Sequence, residues 1–145
     1  MLRIAIDFDG TIVEHVYPLI GEEKVFAFQT MKELQKRGYR LILWTFRSGK
    51  ELDEAVEYCR NKGIEFYAVN KNYPEEVFDE TISRKIDADI YIDDKNIGGF
   101  KDWSWVWEQL DPDHYYAQSN QSERSIPRKT GFFNRIQGKK KNQTP

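Results

Sequence analysis

The apolar residues of this chain fall into short continuous runs, and between the runs they recur with helical spacing. The runs over residues 2–6, 39–44, 64–69 and 88–92 have the length and continuous hydrophobicity of strands buried in a parallel sheet. Helical spacing begins near Phe26 and again near Lys50, and a glycine closes each of these two segments. A further helix is predicted over residues 102–110. The pattern therefore predicts four strands that alternate with helices.

This alternation predicts an α/β fold, a Rossmann-like three-layer sandwich around a mainly parallel sheet. Residues 12–25 have no clear period and indicate an irregular loop, whereas residues 75–87 predict either a short helix or a loop. Ligands of such sheets bind beyond the carboxyl ends of the strands, near the point where strand order reverses. We therefore expect the functional residues to follow the strands directly.

The predicted last helix carries an apolar face with two tryptophans, Trp103 and Trp107, which the spacing assigns to the core. Trp105 falls off that face and is expected to be exposed. Cys59 lies on the apolar face of the preceding predicted helix, so we interpret it as a packed thiol.

The composition, with 39% hydrophobic and 32% charged residues, is typical of a globular, soluble protein. No run of apolar residues is long enough to span a membrane, and the first residues do not have a signal-peptide pattern. The chain has one cysteine, which excludes an internal disulfide and favours a reducing, cytoplasmic compartment. One cysteine and two distant histidines also exclude a Cys/His zinc site. A homo-oligomer stays possible.

The length of 145 residues fits one folded domain, which we assign to residues 1–110. Residues 111–145 are polar and carry seven basic residues against three acidic ones. This segment predicts a flexible, basic tail, with two alternative roles: a solubilising end or an arm that binds nucleic acid.

The first strand ends in two carboxylates, Asp7 and Asp9, followed by Gly10 and Thr11. Side chains two residues apart on an extended chain point the same way, so the two carboxylates can converge. Two like charges at such a short distance repel each other unless a cation lies between them. Gly10 permits a sharp turn, and the Thr11 hydroxyl with nearby N–H groups can face an anion.

Other polar residues follow the remaining strands: Thr45 after the second, Lys71 after the third, and the pair Asp93 and Asp94 after the fourth. Parallel strands bring these positions to one edge of the sheet. Carboxylate oxygens without His or Cys are the ligands that Mg²⁺ prefers. A divalent cation with a threonine and a lysine nearby suits a phosphoryl group, and an aspartate can attack it as a nucleophile.

Three of these segments carry a family resemblance. Residues 7–11 (DFDGT), 41–45 (LILWT) and 90–94 (IYIDD) resemble, in order, the first, second and fourth motifs of haloacid dehalogenase (HAD) superfamily phosphatases. The resemblance covers roughly residues 1–110. It implies a phosphomonoester hydrolase that works through an aspartyl-phosphate, with Mg²⁺ as cofactor and a phosphorylated small molecule as substrate.

The resemblance also implies roles for individual residues. Asp7 is the implied nucleophile, Asp9 the general acid and base, and Thr45 a ligand of the phosphoryl oxygens. Further candidates are, for the metal, Asp7, Asp93, Asp94 and the backbone carbonyl of Asp9, and, for the substrate, Gly10, Thr11, Phe46 and Arg47. Arg47 has two interpretations, a contact to a second anionic group of the substrate or a solvated surface arginine.

The lysine of the family's third motif has two candidates. Lys71 directly follows the third strand and is geometrically easier to place at the site. Lys85 precedes Asp93 by eight residues, a spacing similar to that of some relatives without a cap domain. Both are kept.

The gaps after the first and third strands are too short for a cap domain, which predicts an open, capless site bordered by residues 12–21. Three alternative functions compete with the general phosphatase. The first is a phosphatase for nucleotides or nucleic-acid ends, and the second is a non-catalytic binding domain of the same fold. The third, a receiver-type phospho-acceptor domain, is disfavoured because no aspartate follows the second or third strand.

Overall fold

The computed structural model describes residues 1–117. Its helices and strands follow the predicted order, with shorter strands than the apolar runs indicate. In chain order they are β1 (Arg3–Ile6), α1 (Ala27–Lys36), β2 (Arg40–Leu43), α2 (Gly49–Asn61), β3 (Ala68–Val69), β4 (Ile90–Ile92) and α3 (Trp103–Leu110).

The four strands form one parallel sheet in the order β3-β2-β1-β4. In this register Ile4 of β1 lies beside Leu41 of β2 on one side and Ile90 of β4 on the other. The strand order proceeds outward from β1 to β3 and then returns to β4 on the opposite side of β1. The carboxyl ends of β1 and β4 therefore form the switch point at which ligands of α/β sheets bind. The predicted parallel α/β class is confirmed.

The three helices all pack on one face of the sheet. Alternate residues of β1, Ile4 and Ile6, point to this face and are fully buried with the apolar faces of the helices. The helical side of this core is formed mainly by Met31, Leu34, Ala55, Cys59, Trp103 and Val106. Cys59 is buried as predicted, and burial raises the pKa of its thiol to about 12.

An irregular segment, residues 70–89, covers the opposite face. Ile86 from this segment packs on Ala5 and Ile42, the residues of β1 and β2 that point away from the helices. The predicted three-layer sandwich is therefore corrected, because the third layer contains turns rather than a helix. Side chains here bind backbone N–H groups (Asn72 Oδ1 accepts from Asp87 N and Asp79 Oδ1 from Thr81 N), and such bonds compete with helix formation.

Helix α3 holds the turn after β1 against the core. Trp103 is fully buried, and its Nε1 donates to the Thr11 carbonyl at 2.7 Å. Trp107 is also buried and Trp105 is 42% exposed, so the predicted apolar face is confirmed. After α3, Asp111 is buried and pairs with Arg37 at 2.9 Å.

Residues 112–117 are helical, so regular secondary structure continues beyond residue 110, the predicted end of the folded domain. The rest of the predicted tail lies outside the described residues. Within residues 1–117, no helix has the length and hydropathy needed to cross a bilayer.

Candidate functional site

A cleft of about 430 Å³ opens at the carboxyl edge of the sheet. It lies at the switch point, as the sequence predicted for the functional residues. The turns after β1, β2 and β4 supply most of its wall, and the loop after Asp9 supplies the rest. Its lining residues are Asp7, Asp9, His15, Tyr17, Trp44, Thr45, Phe46, Arg47, Asp93, Asp94 and Lys95.

Three carboxylates meet at the base of this cleft, and we call Asp7, Asp93 and Asp94 the acidic triad. One oxygen from each lies within 4.8 Å of the others. Asp7 directly follows β1 and its N–H donates to the Ile92 carbonyl at 2.9 Å, so the parallel pairing of β1 with β4 brings the triad together. Oδ1 of Asp94 is buried without a hydrogen-bond partner within the described part of the chain. A buried acceptor of this kind costs free energy unless another group binds it.

The acidic triad perturbs the titration of Asp7. Burial raises the pKa of Asp7 to about 7, and the negative charges of Asp93 and Asp94 act in the same direction. Hydrogen bonds from the Phe8 backbone and the Thr11 hydroxyl oppose the rise. A cation placed between the three carboxylates would offset their mutual repulsion.

Gly10 and Thr11 position the triad. Thr11 is fully buried; its hydroxyl donates to Asp7 Oδ2 at 3.3 Å and accepts from the Asp94 N–H at 3.0 Å. Gly10 has φ +90°, and a Cβ at this position would lie 2.3 Å from Asp94 Oδ2. Both residues, predicted to bind substrate, therefore contact the predicted metal ligands in this structure.

Asp9 turns away from the triad and pairs with Arg47. Arg47 donates from Nε to Asp9 Oδ2 at 2.7 Å and from Nη2 to Asp9 Oδ1 at 2.8 Å. The expected convergence of Asp7 and Asp9 assumed an extended chain, but the backbone bends at Phe8. Asp9 lines the cleft, and its carboxylate is not one of the three in the acidic cluster.

Arg47 is 1% exposed, so its interpretation as a solvated surface residue is wrong. Besides Asp9, its guanidinium donates to the carbonyls of Pro18 at 3.0 Å and Leu19 at 2.7 Å. The guanidinium carbon lies 5.0 Å from the Phe8 ring centroid and 5.2 Å from that of Tyr17. These four hydrogen bonds use four of the five N–H donors of the guanidinium and include every one of its nitrogens. Sequence reasoning did not foresee this ion pair, since Asp9 and Arg47 are distant in the chain.

Thr45 and Phe46 line the cleft from the turn after β2. The Thr45 N–H donates to Asn70 Oδ1 at 2.8 Å, and its hydroxyl accepts from the Arg47 N–H at 3.2 Å. These bonds hold the turn against the end of β3. The Phe46 ring is 98% exposed beside the cleft.

The lysine in the cleft is Lys95, whose Nζ lies 3.2 Å from Asp94 Oδ2. Lys71 and Lys85, the two sequence candidates, are not among the lining residues. Nζ of Lys85 lies 5.5 Å from the Tyr91 ring centroid on the far face of the sheet. The sequence feature that could have indicated Lys95 is its position directly after the acidic pair.

A solved structure of a conserved protein from Bacteroides thetaiotaomicron is similar to this chain. The two are 54% identical over 80% of this chain and 94% of that one, with a TM-score of 0.72. This chain belongs to the family of that Bacteroides protein. No family model and no curated protein matches the chain.

Membership in the family of the Bacteroides protein establishes a relationship of sequence and fold, whereas function depends on the residues of the site. Here the site offers three oxygen ligands for a hard divalent cation, a carboxylate held by an arginine, and a threonine and a lysine. Such a set can bind and polarise an oxyanion such as a phosphoryl group.

Proposed function

We propose that this protein is a small, capless HAD-type phosphatase, a Mg²⁺-dependent phosphomonoester hydrolase that works through an aspartyl-phosphate. The observation that carries the proposal is the acidic triad at the switch point, in which Asp94 has a buried oxygen without a partner. A structural role for three such carboxylates at the end of an apolar strand is hard to justify, because burial and repulsion both disfavour their charge.

The donor set fits Mg²⁺. The triad offers carboxylate oxygens alone, the ligand type that this ion prefers, and the unpartnered Asp94 oxygen would gain a ligand contact. Asp7, Asp93 and Asp94, with the backbone carbonyl of Asp9, would hold the ion. Its charge would offset that of the phosphoryl oxygens.

The protein's own residues would carry the two displacement steps. An Asp7 carboxylate oxygen attacks phosphorus and the ester bond breaks, while Asp9 gives a proton to the leaving oxygen. Asp9 then takes a proton from a water molecule, whose oxygen attacks phosphorus and breaks the bond to Asp7. Because Arg47 holds both oxygens of Asp9, Asp9 must release at least one of these contacts to take part.

Thr45 and Lys95 would bind the phosphoryl oxygens. Thr45 lines the cleft, and the Lys95 ammonium adds positive charge beside Asp94. Lys95 therefore replaces Lys71 and Lys85 as the lysine we assign to this role.

The two segments in which HAD enzymes insert caps support the capless part of the proposal. Residues 7–26 and 70–89 connect β1 to α1 and β3 to β4, and neither contains a helix or a named strand. The cleft is therefore bordered by a loop and turns, which suits a substrate that enters from solvent.

The decisive test is hydrolysis of a generic aryl phosphate by the wild type with Mg²⁺, the wild type with EDTA, and Asp7→Asn. We expect turnover with Mg²⁺, none with EDTA, and a loss of at least about a thousandfold in Asp7→Asn, since asparagine is a poor nucleophile and a weaker metal ligand. Asp53→Asn, on the exposed side of α2, makes the same chemical change away from the cleft and should keep full activity.

Two results would overturn the proposal. Turnover that survives both EDTA and Asp7→Asn would assign the chemistry to other groups. No turnover of any phosphomonoester, with Mg²⁺ bound, would instead favour the non-catalytic binding domain.

A further inference from the structure

Aromatic side chains surround the acidic triad. Tyr17, Trp44 and Phe46 all line the cleft, together with His15 and Lys95. Single exposed apolar residues are common on protein surfaces and need no explanation. Here three aromatic rings line the same cleft as the candidate phosphoryl site. A ligand bound at that site can contact these rings.

Two of the three rings are held in place by the protein. Trp44 packs edge-to-face on Tyr91 with ring centroids 5.2 Å apart, and Tyr17 lies against the buried Arg47 guanidinium. The third ring, Phe46, is 98% exposed and follows Thr45 directly. A planar ligand that stacks on Phe46 would remove this apolar surface from water, and aromatic stacking is the common way in which proteins bind nucleobases.

The charge of the cleft favours a single phosphate over a diphosphate or triphosphate. The charge of Arg47 is paired with that of Asp9, and Lys95 is the other basic side chain, lysine or arginine, that lines the cleft. With one divalent cation, the three triad carboxylates and Lys95 sum to about zero formal charge. A diphosphate or triphosphate would bring additional negative charge without a matching cation, and a nucleic-acid strand would need further basic residues along its path.

From these contacts we propose that the cleft selects nucleoside monophosphates. The phosphate would lie at the acidic triad, and the base would stack on Phe46, on the side of the cleft lined by aromatic rings. The cleft volume of about 430 Å³ lies within the range of small-molecule sites and exceeds what a phenyl ring alone would fill. This inference rests on the proposed phosphomonoesterase and names its substrate class.

The test compares a nucleoside 5′-monophosphate with ribose 5-phosphate, which differ only in the base. We expect kcat/KM to be roughly 5- to 100-fold higher for the nucleotide, the range that stacking of one base supports. Phe46→Ala should reduce this ratio to near one. Phe78→Ala, which removes a half-exposed phenylalanine outside the cleft, should leave the ratio unchanged. Phosphotyrosine and a 5′-phosphorylated oligonucleotide serve as the competing substrates.

A second readout separates this inference from the proposed function. Calorimetric titration of the nucleotide with Mg²⁺ into Asp7→Asn, and into Asp7→Asn combined with Phe46→Ala, measures the base contact without turnover. Binding that weakens when Phe46→Ala is added, without hydrolysis of any phosphomonoester by the wild type, would keep the nucleotide site and overturn the hydrolase. If ribose 5-phosphate, phosphotyrosine or the oligonucleotide is hydrolysed with a kcat/KM equal to that of the nucleotide, the inference is overturned and the proposed phosphatase is not.

Discussion

Gly10 is the residue on which the geometry of the acidic triad depends most directly. Its φ of +90° lies in the left-handed region, and the space beside its Cα is filled by the Asp94 carboxylate. A glycine in a predicted turn ordinarily indicates only backbone freedom. Here the missing Cβ also permits a metal-ligand candidate to approach the backbone, which the sequence alone does not reveal.

We predict that Gly10→Ala weakens Mg²⁺ binding by displacing Asp94, because a Cβ would lie 2.3 Å from its Oδ2. We expect roughly tenfold weaker binding, as for changes that disturb the surroundings of a metal site, and calorimetric titration with Mg²⁺ measures it. Gly98→Ala is the matched control, since Gly98 has a similar φ of +89° but nothing within 4 Å of its added Cβ. Equal Mg²⁺ affinities in the two variants would show that the contact with Asp94 is unimportant.

At the scale of elements, Arg47 joins three parts of the chain that the sheet does not connect. It lies in the turn between β2 and α2 and binds Asp9 from the turn after β1 and two carbonyls of the loop that carries Tyr17. One buried side chain thus fixes the loop that forms a wall of the cleft.

We predict that Arg47→Met lowers the free energy of unfolding by about 3–5 kcal/mol, because Asp9 would then be a nearly buried carboxylate without a partner. Arg47→Lys should lose less, since it keeps the charge but not the paired hydrogen bonds. Urea denaturation measures both. The control is Arg60→Met, which breaks an exposed pair with Glu57 and should cost under about 1 kcal/mol. A loss in Arg47→Met no larger than in Arg60→Met would contradict the proposed role.

The sequence predicted the strands and helices well where one physical pattern dominated. Continuous apolar runs and glycine stops located four parallel strands and the helices between them. Prediction was least complete where a side chain has a choice of partners. The direction of Asp9 depends on a bend at Phe8 and on an arginine far along the chain, and the irregular layer over residues 70–89 depends on local side-chain bonds to the backbone. Neither follows from periodicity.

At the scale of the whole molecule, the acidic triad links the stability of the fold to pH. The pKa of Asp7 is about 7 in the folded protein against 3.8 as the ordinary value. Over this interval the folded state binds the proton more tightly than the unfolded state. The contribution of Asp7 to stability is therefore fully present below about pH 4 and is lost as pH rises through 7.

We predict that, in EDTA, the Tm of the wild type falls between pH 5.5 and 7.5 by more than that of Asp7→Asn, which lacks the titrating group. Mg²⁺ should raise the Tm more at pH 7.5 than at pH 5.5, because at the lower pH it must displace a proton from Asp7. Thermal unfolding of both proteins in EDTA and in Mg²⁺ at the two pH values gives all the comparisons. The same pH trend in Asp7→Asn would assign the titration to another group, and a Mg²⁺ effect independent of pH would remove Asp7 from the set of metal ligands.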